Sequence, residues 1–146
     1  MPLVSKTVEV AAAADSIMAI VADFENYPQW NDEIKGCWVL ARYDDGRPSQ
    51  LRLDVVVQGL PGTFISAVYY PGDNEIFTVL QQGEHFDKQE QKFSVVAVGP
   101  TSLLTVDLEV ETKLPIPQPM VKKAVGDTLD YLAANLKSRA EQLGAT

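Results

Sequence analysis

Residues 23–30 read Asp23-Phe24-Glu25-Asn26-Tyr27-Pro28-Gln29-Trp30, and this stretch decides how the chain on either side is arranged. Proline fixes its own φ and holds Tyr27 extended, so a helix arriving from the N-terminal side must stop here. Tyr27 and Trp30 put two bulky aromatics beside that stop, which suits a plug in the hinge between a helix and a sheet. Upstream, Ala13 to Phe24 has helical spacing, with Ile17, Ile20, Val21 and Phe24 on one side and Asp15 or Ser16 as candidate caps. Ahead of it, Leu3 to Ala11 alternates as a strand: Val4, Val8 and Val10 share one face, which Lys6 interrupts, and Ser5, Thr7 and Glu9 share the other. Glu25 to Ile34 is then a turn or a second short helix.

Downstream of Trp30 the pattern changes to strands. Five hairpin-like segments follow, Lys35–Tyr43, Gln50–Gln58, Thr63–Tyr70, Glu75–Gln82 and Phe86–Val98. They are separated by turn-forming runs, Asp44-Asp45-Gly46, Gly59-Leu60-Pro61-Gly62, Pro71-Gly72-Asp73-Asn74 and Gly83-Glu84-His85. After Gly99-Pro100, Leu104, Val106, Leu108 and Val110 alternate with Thr105, Asp107, Glu109 and Glu111, so one face is buried and one is wet.

Pro115, Pro117 and Pro119 end that strand, and Met120 to Leu143 reads as one long helix with Pro119 in its first turn. At about 100° per residue, Val121, Val125, Leu129, Leu132, Leu136 and Leu143 form a single apolar stripe. Gly126 marks a bend, a close approach or simple tolerance. An antiparallel sheet with one apolar face, covered by one helix stripe, is an α+β arrangement. A sheet that curls strongly around the helix cannot touch it along its full length, and a cavity results.

The aspartate, tyrosine-proline and tryptophan of residues 23–30 resemble the signature that follows the first helix in the START/SRPBCC superfamily, nearest to its polyketide cyclase/dehydrase and lipid-transport family. The order of strand, helix pair, six-strand meander and proline-led terminal helix extends the likeness across nearly the whole chain. The family often carries a proline two residues after the tryptophan, where this chain has Asp32. The resemblance implies a helix-grip fold, with a curved antiparallel seven-stranded sheet wrapped around the C-terminal helix and two short helices after strand 1. It also implies an entrance between the loops and that helix.

Composition narrows the function classes. The chain has 146 residues, enough for one domain over 1–146, and 46% of them are hydrophobic, which supplies one core. No window approaches the roughly 20 consecutive apolar residues of a membrane span, so stable membrane insertion is not expected. Met1 to Val10 lacks the basic and apolar regions of a secretory signal, which makes the cytoplasm the expected compartment. Twelve basic against twenty acidic residues give a formal charge of −8, which disfavours nucleic acid as a partner. Cys37 is the only cysteine and His85 the only histidine, so neither a disulfide, a zinc cluster nor a multi-histidine metal site is expected. Cys37 reads as a packed thiol beside Trp38. Hydrolase, phosphate-loop and dinucleotide patterns are absent, and no cofactor is expected.

Facing rules select candidate lining residues. In Phe86–Val98, Lys88, Glu90 and Lys92 belong in water, which turns Gln89, Gln91 and Phe93 inward. A buried amide without a partner costs about 1–3 kcal/mol, so the two glutamines need each other, a water or the polar head of a ligand, unless a bulge reverses their face. Leu104, Val106 and Leu108 add apolar wall with Val55 and Val57, and Val125, Leu129 and Leu132 face them from the helix. Alternate turns of a meander lie at one end of the sheet, so Gly59, Leu60, Pro61 and Gly62 join the Gly83–Phe86 turn and Pro115 and Ile116 there, as a candidate gate. Histidine is the side chain whose unperturbed pKa lies near neutrality, so His85, with Glu84 and Tyr69, is a candidate acid or base. The expected role is binding, carrying or sensing a hydrophobic lipid, polyketide-like or isoprenoid molecule. Two alternatives stand beside it, an aromatase/cyclase or dehydratase, and a protein-interaction module with a vestigial pocket.

Overall fold

The computed structural model describes residues 3–57 and 59–144; Met1, Pro2, Ala145, Thr146 and the Gln58 end of the second predicted hairpin segment lie outside the described residues. Strand β1 (Leu3–Val10) leads into α1 (Ala14–Ala22) and a 3₁₀ turn (Phe24–Gln29). Six strands follow, β2 (Ile34–Arg42), β3 (Pro48–Val57), β4 (Leu60–Gly72), β5 (Glu75–Gly83), β6 (Phe86–Val98) and β7 (Thr101–Thr112), and then α2 (Gln118–Gly144). They form one antiparallel sheet in the order β1-β7-β6-β5-β4-β3-β2, as a meander closed on one side by the N-terminal strand.

Local chemistry accounts for the boundaries. Neither Asp15 nor Ser16 caps α1; its N-cap is Ala13, with no side-chain hydrogen bond, and tertiary packing of Ile17 and Val21 holds the helix instead. The helix ends at Ala22, before the proline, and the 3₁₀ turn carries Pro28 inside it, so Tyr27 is part of a helical turn and is not held extended as expected. Tyr27 is buried, donates its hydroxyl to the Val21 carbonyl, and packs its ring 5.5 Å from Phe24 and 5.0 Å from Trp30. Burial therefore pushes its phenol well above the usual range. The aromatic plug ties α1 to β2, against which the 3₁₀ turn packs.

Register shifts interrupt the ladders within β2, between β4 and β5, and at the start of β6. Each such bulge raises the local twist, and together they coil the sheet. The apolar stripe of α2 is buried at Val121, Val125, Leu129, Leu132 and Leu136. Leu143 departs from the expected stripe at 47% exposure, and Ala140, at 1%, takes its place in the core. Lys6, the break in the apolar face of β1, reaches Asp130 of α2 at 3.2 Å. The helix lies along β1 and β7, while α1 packs on β5 and β6; among the described residues, no helix makes comparable contact with β3 or β4.

Candidate functional site

Strand register assigns each side chain to a face. Val106 of β7 stands opposite Phe93 of β6, Leu108 opposite Gln91, and Leu104 opposite Val95, so these residues share the concave face. On β3, Val55 is opposite Gly62 and Val57 opposite Leu60, on the same side as the Leu53–Phe64 pair. Lys88, Glu90 and Lys92 take the convex face, where Lys88 meets Glu109 at 2.8 Å and Lys92 meets Glu75 at 2.7 Å. These ion pairs raise both lysine pKa values above the ordinary one. Gln89 and Gln91 thus face inward; the bulge at the start of β6 falls before them, between Phe86 and Lys88.

The concave face has two characters. Leu104, Val106, Leu108, Val125, Leu129 and Leu132 are buried where α2 covers the sheet. Val55, Val57, Phe64, Leu80, Gln89 and Gln91 point to the same side yet are only half-buried. Ser66 and Thr78 add hydroxyls to that half, with Ser66 buried opposite Leu51 and Thr78 opposite Gln91. The sequence reading passed over Phe64, Ser66 and Thr78. Their signal was the alternation of Phe64, Ser66 and Val68, which parity alone could not assign to a face. Cys37 also lies inward, opposite Leu53, while Trp38 is exposed on the convex face, so the thiol does not pack beside Trp38 as expected. Burial pushes the Cys37 pKa up to about 12, which keeps it a thiol and removes it as a nucleophile.

Hydrogen bonds of Glu84 and His85 bring the start of β4, the β5–β6 turn and the end of β7 together. Leu60, Pro61 and Gly62, however, belong to strand β4, paired with Val57, Val56 and Val55, and are not a free loop. Among the described residues of this turn, Gly59, at φ +81°, takes the left-handed conformation. The ladder between β4 and β5 ends at Phe64–Gly83, and β4 overhangs beyond it. Two side chains satisfy that overhang: the Thr63 N–H donates to Glu84 Oε1 at 2.7 Å, and His85 Nε2 donates to the Pro61 carbonyl at 2.7 Å. A carbonyl only accepts, so Nε2 carries a proton. The His85 carbonyl in turn accepts from the Lys113 N–H at 2.9 Å and from Thr112 Oγ1 at 3.2 Å. His85 therefore ties β4, the β5–β6 turn and the segment leading to α2 into one knot. Pro115 and Ile116 lie beyond the knot, and both are exposed.

Tyr69 is elsewhere. It projects from the convex face, 47% exposed, with its ring 6.5 Å from Phe77, and does not converge with His85 or Glu84. It borders an open recess of about 440 Å³ shared with Tyr43, Asp44, Asp45, Arg47 and Tyr70, where the Arg47 guanidinium lies 4.2 Å over the Tyr70 ring. A second recess of about 360 Å³ lies between α1 and the end of α2, bordered by Ile20, Trp30, Arg139 and Leu143. Among the described residues, no three His, Cys, Asp or Glu side chains are grouped to hold a metal ion. No helix among them is long and apolar enough to cross a membrane.

A seven-stranded antiparallel meander curved around a long C-terminal helix, with two short helical turns between its first two strands, defines the helix-grip class of the START superfamily. The chain belongs to the polyketide cyclase / dehydrase and lipid transport family, which matches residues 10–137. It is similar to a START superfamily protein from Mycobacterium smegmatis at 68% identity, over 97% of this chain and 98% of that one, with a TM-score of 0.94. A protein from Thermus thermophilus shares the fold at 19% identity, 99% coverage of each chain and a TM-score of 0.84. So does an aromatase/cyclase from Streptomyces, at 17% identity, 96% and 93% coverage and a TM-score of 0.83. No curated protein matches the chain.

Proposed function

We propose that the protein binds a hydrophobic small molecule, lipid, polyketide-like or isoprenoid, against the concave face, and carries or senses it without chemistry. One observation carries this reading: Val55, Val57, Phe64 and Leu80 face the interior side of the sheet but stay half-buried, while their counterparts under α2 are sealed. Apolar surface left in contact with water gains about 25 cal/mol per Å² when a ligand covers it. The ligand enters at the end knotted by His85, past Pro61 and Gly62 on one side and Pro115 and Ile116 on the other. His85 and Glu84 are engaged by backbone groups, and Tyr69 stands on the opposite face, which supports binding over acid-base catalysis.

The neutral dye Nile red tests the site. Titration is expected to show one saturable site that persists in high salt, because apolar burial is not screened. Absence of saturable binding overturns the proposal. His85→Ala separates carrier from enzyme: dye affinity is expected to stay within about 1 kcal/mol of wild type. Ligand recovered by solvent extraction of fresh protein should keep its mass on incubation with wild type. Turnover by wild type that is lost in His85→Ala, with binding retained, would establish the enzyme instead.

A further inference from the structure

Among the described residues, one buried side-chain polar atom in this part of the concave face has no hydrogen-bond partner. Gln89 Oε1 is buried and accepts no hydrogen bond. Its strand position, opposite Val110 and two residues from Gln91, points it to the same side as Val55 and Phe64. Gln91 stands opposite Thr78, whose hydroxyl donates to the Gln91 carbonyl at 3.5 Å. A buried carbonyl oxygen left unsatisfied is costly, and a folded protein keeps such atoms rarely.

The charges around this face narrow what can satisfy it. Among the register-paired residues of β2 to β7, no Asp, Glu, Lys, Arg or His falls on the concave side; Lys35 and Asp87 lie in bulges without a paired position, and both are exposed. Lys6 of β1 is the concave-side cation, and Asp130 already pairs with it. A carboxylate or phosphate brought to Gln89 would lie in an apolar environment without a counter-ion, which is strongly unfavourable.

Resting on the ligand-binding reading above, we infer that the ligand is neutral and carries a hydroxyl or N–H group, which donates to Gln89 Oε1 while its apolar body covers Val55, Phe64 and Leu80. Gln89 is then the residue that selects alcohols and phenols over acids and over acceptor-only esters and ethers.

Displacement of Nile red by three probes of one chain length tests this: 1-tetradecanol, methyl tetradecyl ether and myristate at pH 8. Wild type is expected to bind the alcohol about tenfold more tightly than the ether, a difference of about 1.4 kcal/mol, with myristate weakest. In Gln89→Leu the alcohol and the ether should bind equally, and the ether no worse than in wild type. Gln91→Leu should keep the preference for the alcohol. Equal binding of alcohol and ether by wild type, or tighter binding of myristate, overturns the inference even if Gln89→Leu fails to fold. Because Nile red itself reports the site, loss of dye binding in wild type would mark failure of the ligand-binding reading, whereas intact dye binding without an alcohol preference would mark failure of this inference alone.

Discussion

The two halves of the concave face are built from the same alternating strands but meet different partners. Under α2, the inward residues of β7 interdigitate with Val121, Val125, Leu129, Leu132 and Leu136 and lose their contact with water. Toward the His85 end of β3, β4 and β5, inward residues of the same kind, Val55, Val57, Phe64 and Leu80, stay half-buried, whereas Leu51, Leu53, Val68 and Ile76 farther along those strands are buried in the core. Apolar alternation thus specifies a face but not what covers it. Coverage depends on where a straight helix parts from a coiled sheet, and the bulges between β4 and β5 and within β2 bend the sheet away. Polar residues follow the same division: Ser66, Thr78, Gln89 and Gln91 cluster on the half that α2 leaves, where a hydroxyl or amide can meet water or a ligand.

The sharpest test of this division pairs Leu129→Ala with Phe64→Ala. Leu129 is fully buried, so its truncation leaves a cavity in the covered half and should cost about 2–5 kcal/mol. Phe64 is half-buried, and its loss should cost less than half as much while weakening Nile red binding severalfold. Urea unfolding gives the first quantity and dye titration the second. Equal destabilisation by the two substitutions would erase the distinction between a core half and a binding half.

The sequence made the faces more legible than the ends. Lys88, Glu90 and Lys92 identify the convex side of β6 because three charges cannot share a core, and the structure places all three outside. Tyr69 and Tyr70 offered no such lever: neighbouring aromatics on opposite faces look alike until the pairing of Tyr69 with Phe77 is known. At the strand ends, Leu60-Pro61-Gly62 reads as a turn from composition, yet the left-handed φ falls at Gly59 and the ladder to β3 continues through the other three. The service of Glu84 and His85 to the β4 overhang depends on β5 stopping earlier than β4, which is a property of two strands together and has no local signature. Gly62 is part of the same arrangement: a Cβ there would lie 2.8 Å from the His85 ring, so the glycine makes room for the knot. Gly36 has an analogous duty: the Trp38 ring lies over it, and a Cβ there would come within 2.3 Å of that ring.

A substitution confined to the cover should leave the uncovered half untouched. Gly126 sits in the interior of α2, and a Cβ built there meets nothing within 4 Å. The sequence left it as bend, close approach or tolerance, and open space around it favours the last. Gly126→Ala should therefore stabilise the protein by about 1 kcal/mol through helix propensity, with Nile red affinity unchanged. A loss of stability would show that the backbone needs glycine there, and a change in dye affinity would show that stiffening the cover reaches the binding half.

The smallest effect concerns what fastens the cover at its far end. Glu141 of α2 accepts from Lys137 Nζ at 2.8 Å and from the Ala11 N–H at 2.9 Å, and Lys137 Nζ also donates to the Glu9 carbonyl at 2.7 Å. The Lys137 hydrogen bond, then the Ala11 N–H, hold the Glu141 carboxyl below its ordinary value of 4.5. A carboxylate whose folded pKa is depressed contributes stability that is complete above its unfolded pKa and is lost as pH falls through the folded one. The fastening should thus be whole at pH 6 and should weaken progressively below about pH 4.5. Urea midpoints of wild type and Glu141→Gln measured from pH 6 to pH 3 should differ most at pH 6 and converge toward pH 3, because protonation of Glu141 in wild type removes what the glutamine lacks throughout. The groups involved are open to solvent, so the gap at pH 6 should be small, and added salt should narrow it. A gap that stays constant across this range would mean that Glu141 acts through packing or its neutral hydrogen-bonding capacity, and that the end of α2 is held to β1 by something other than charge.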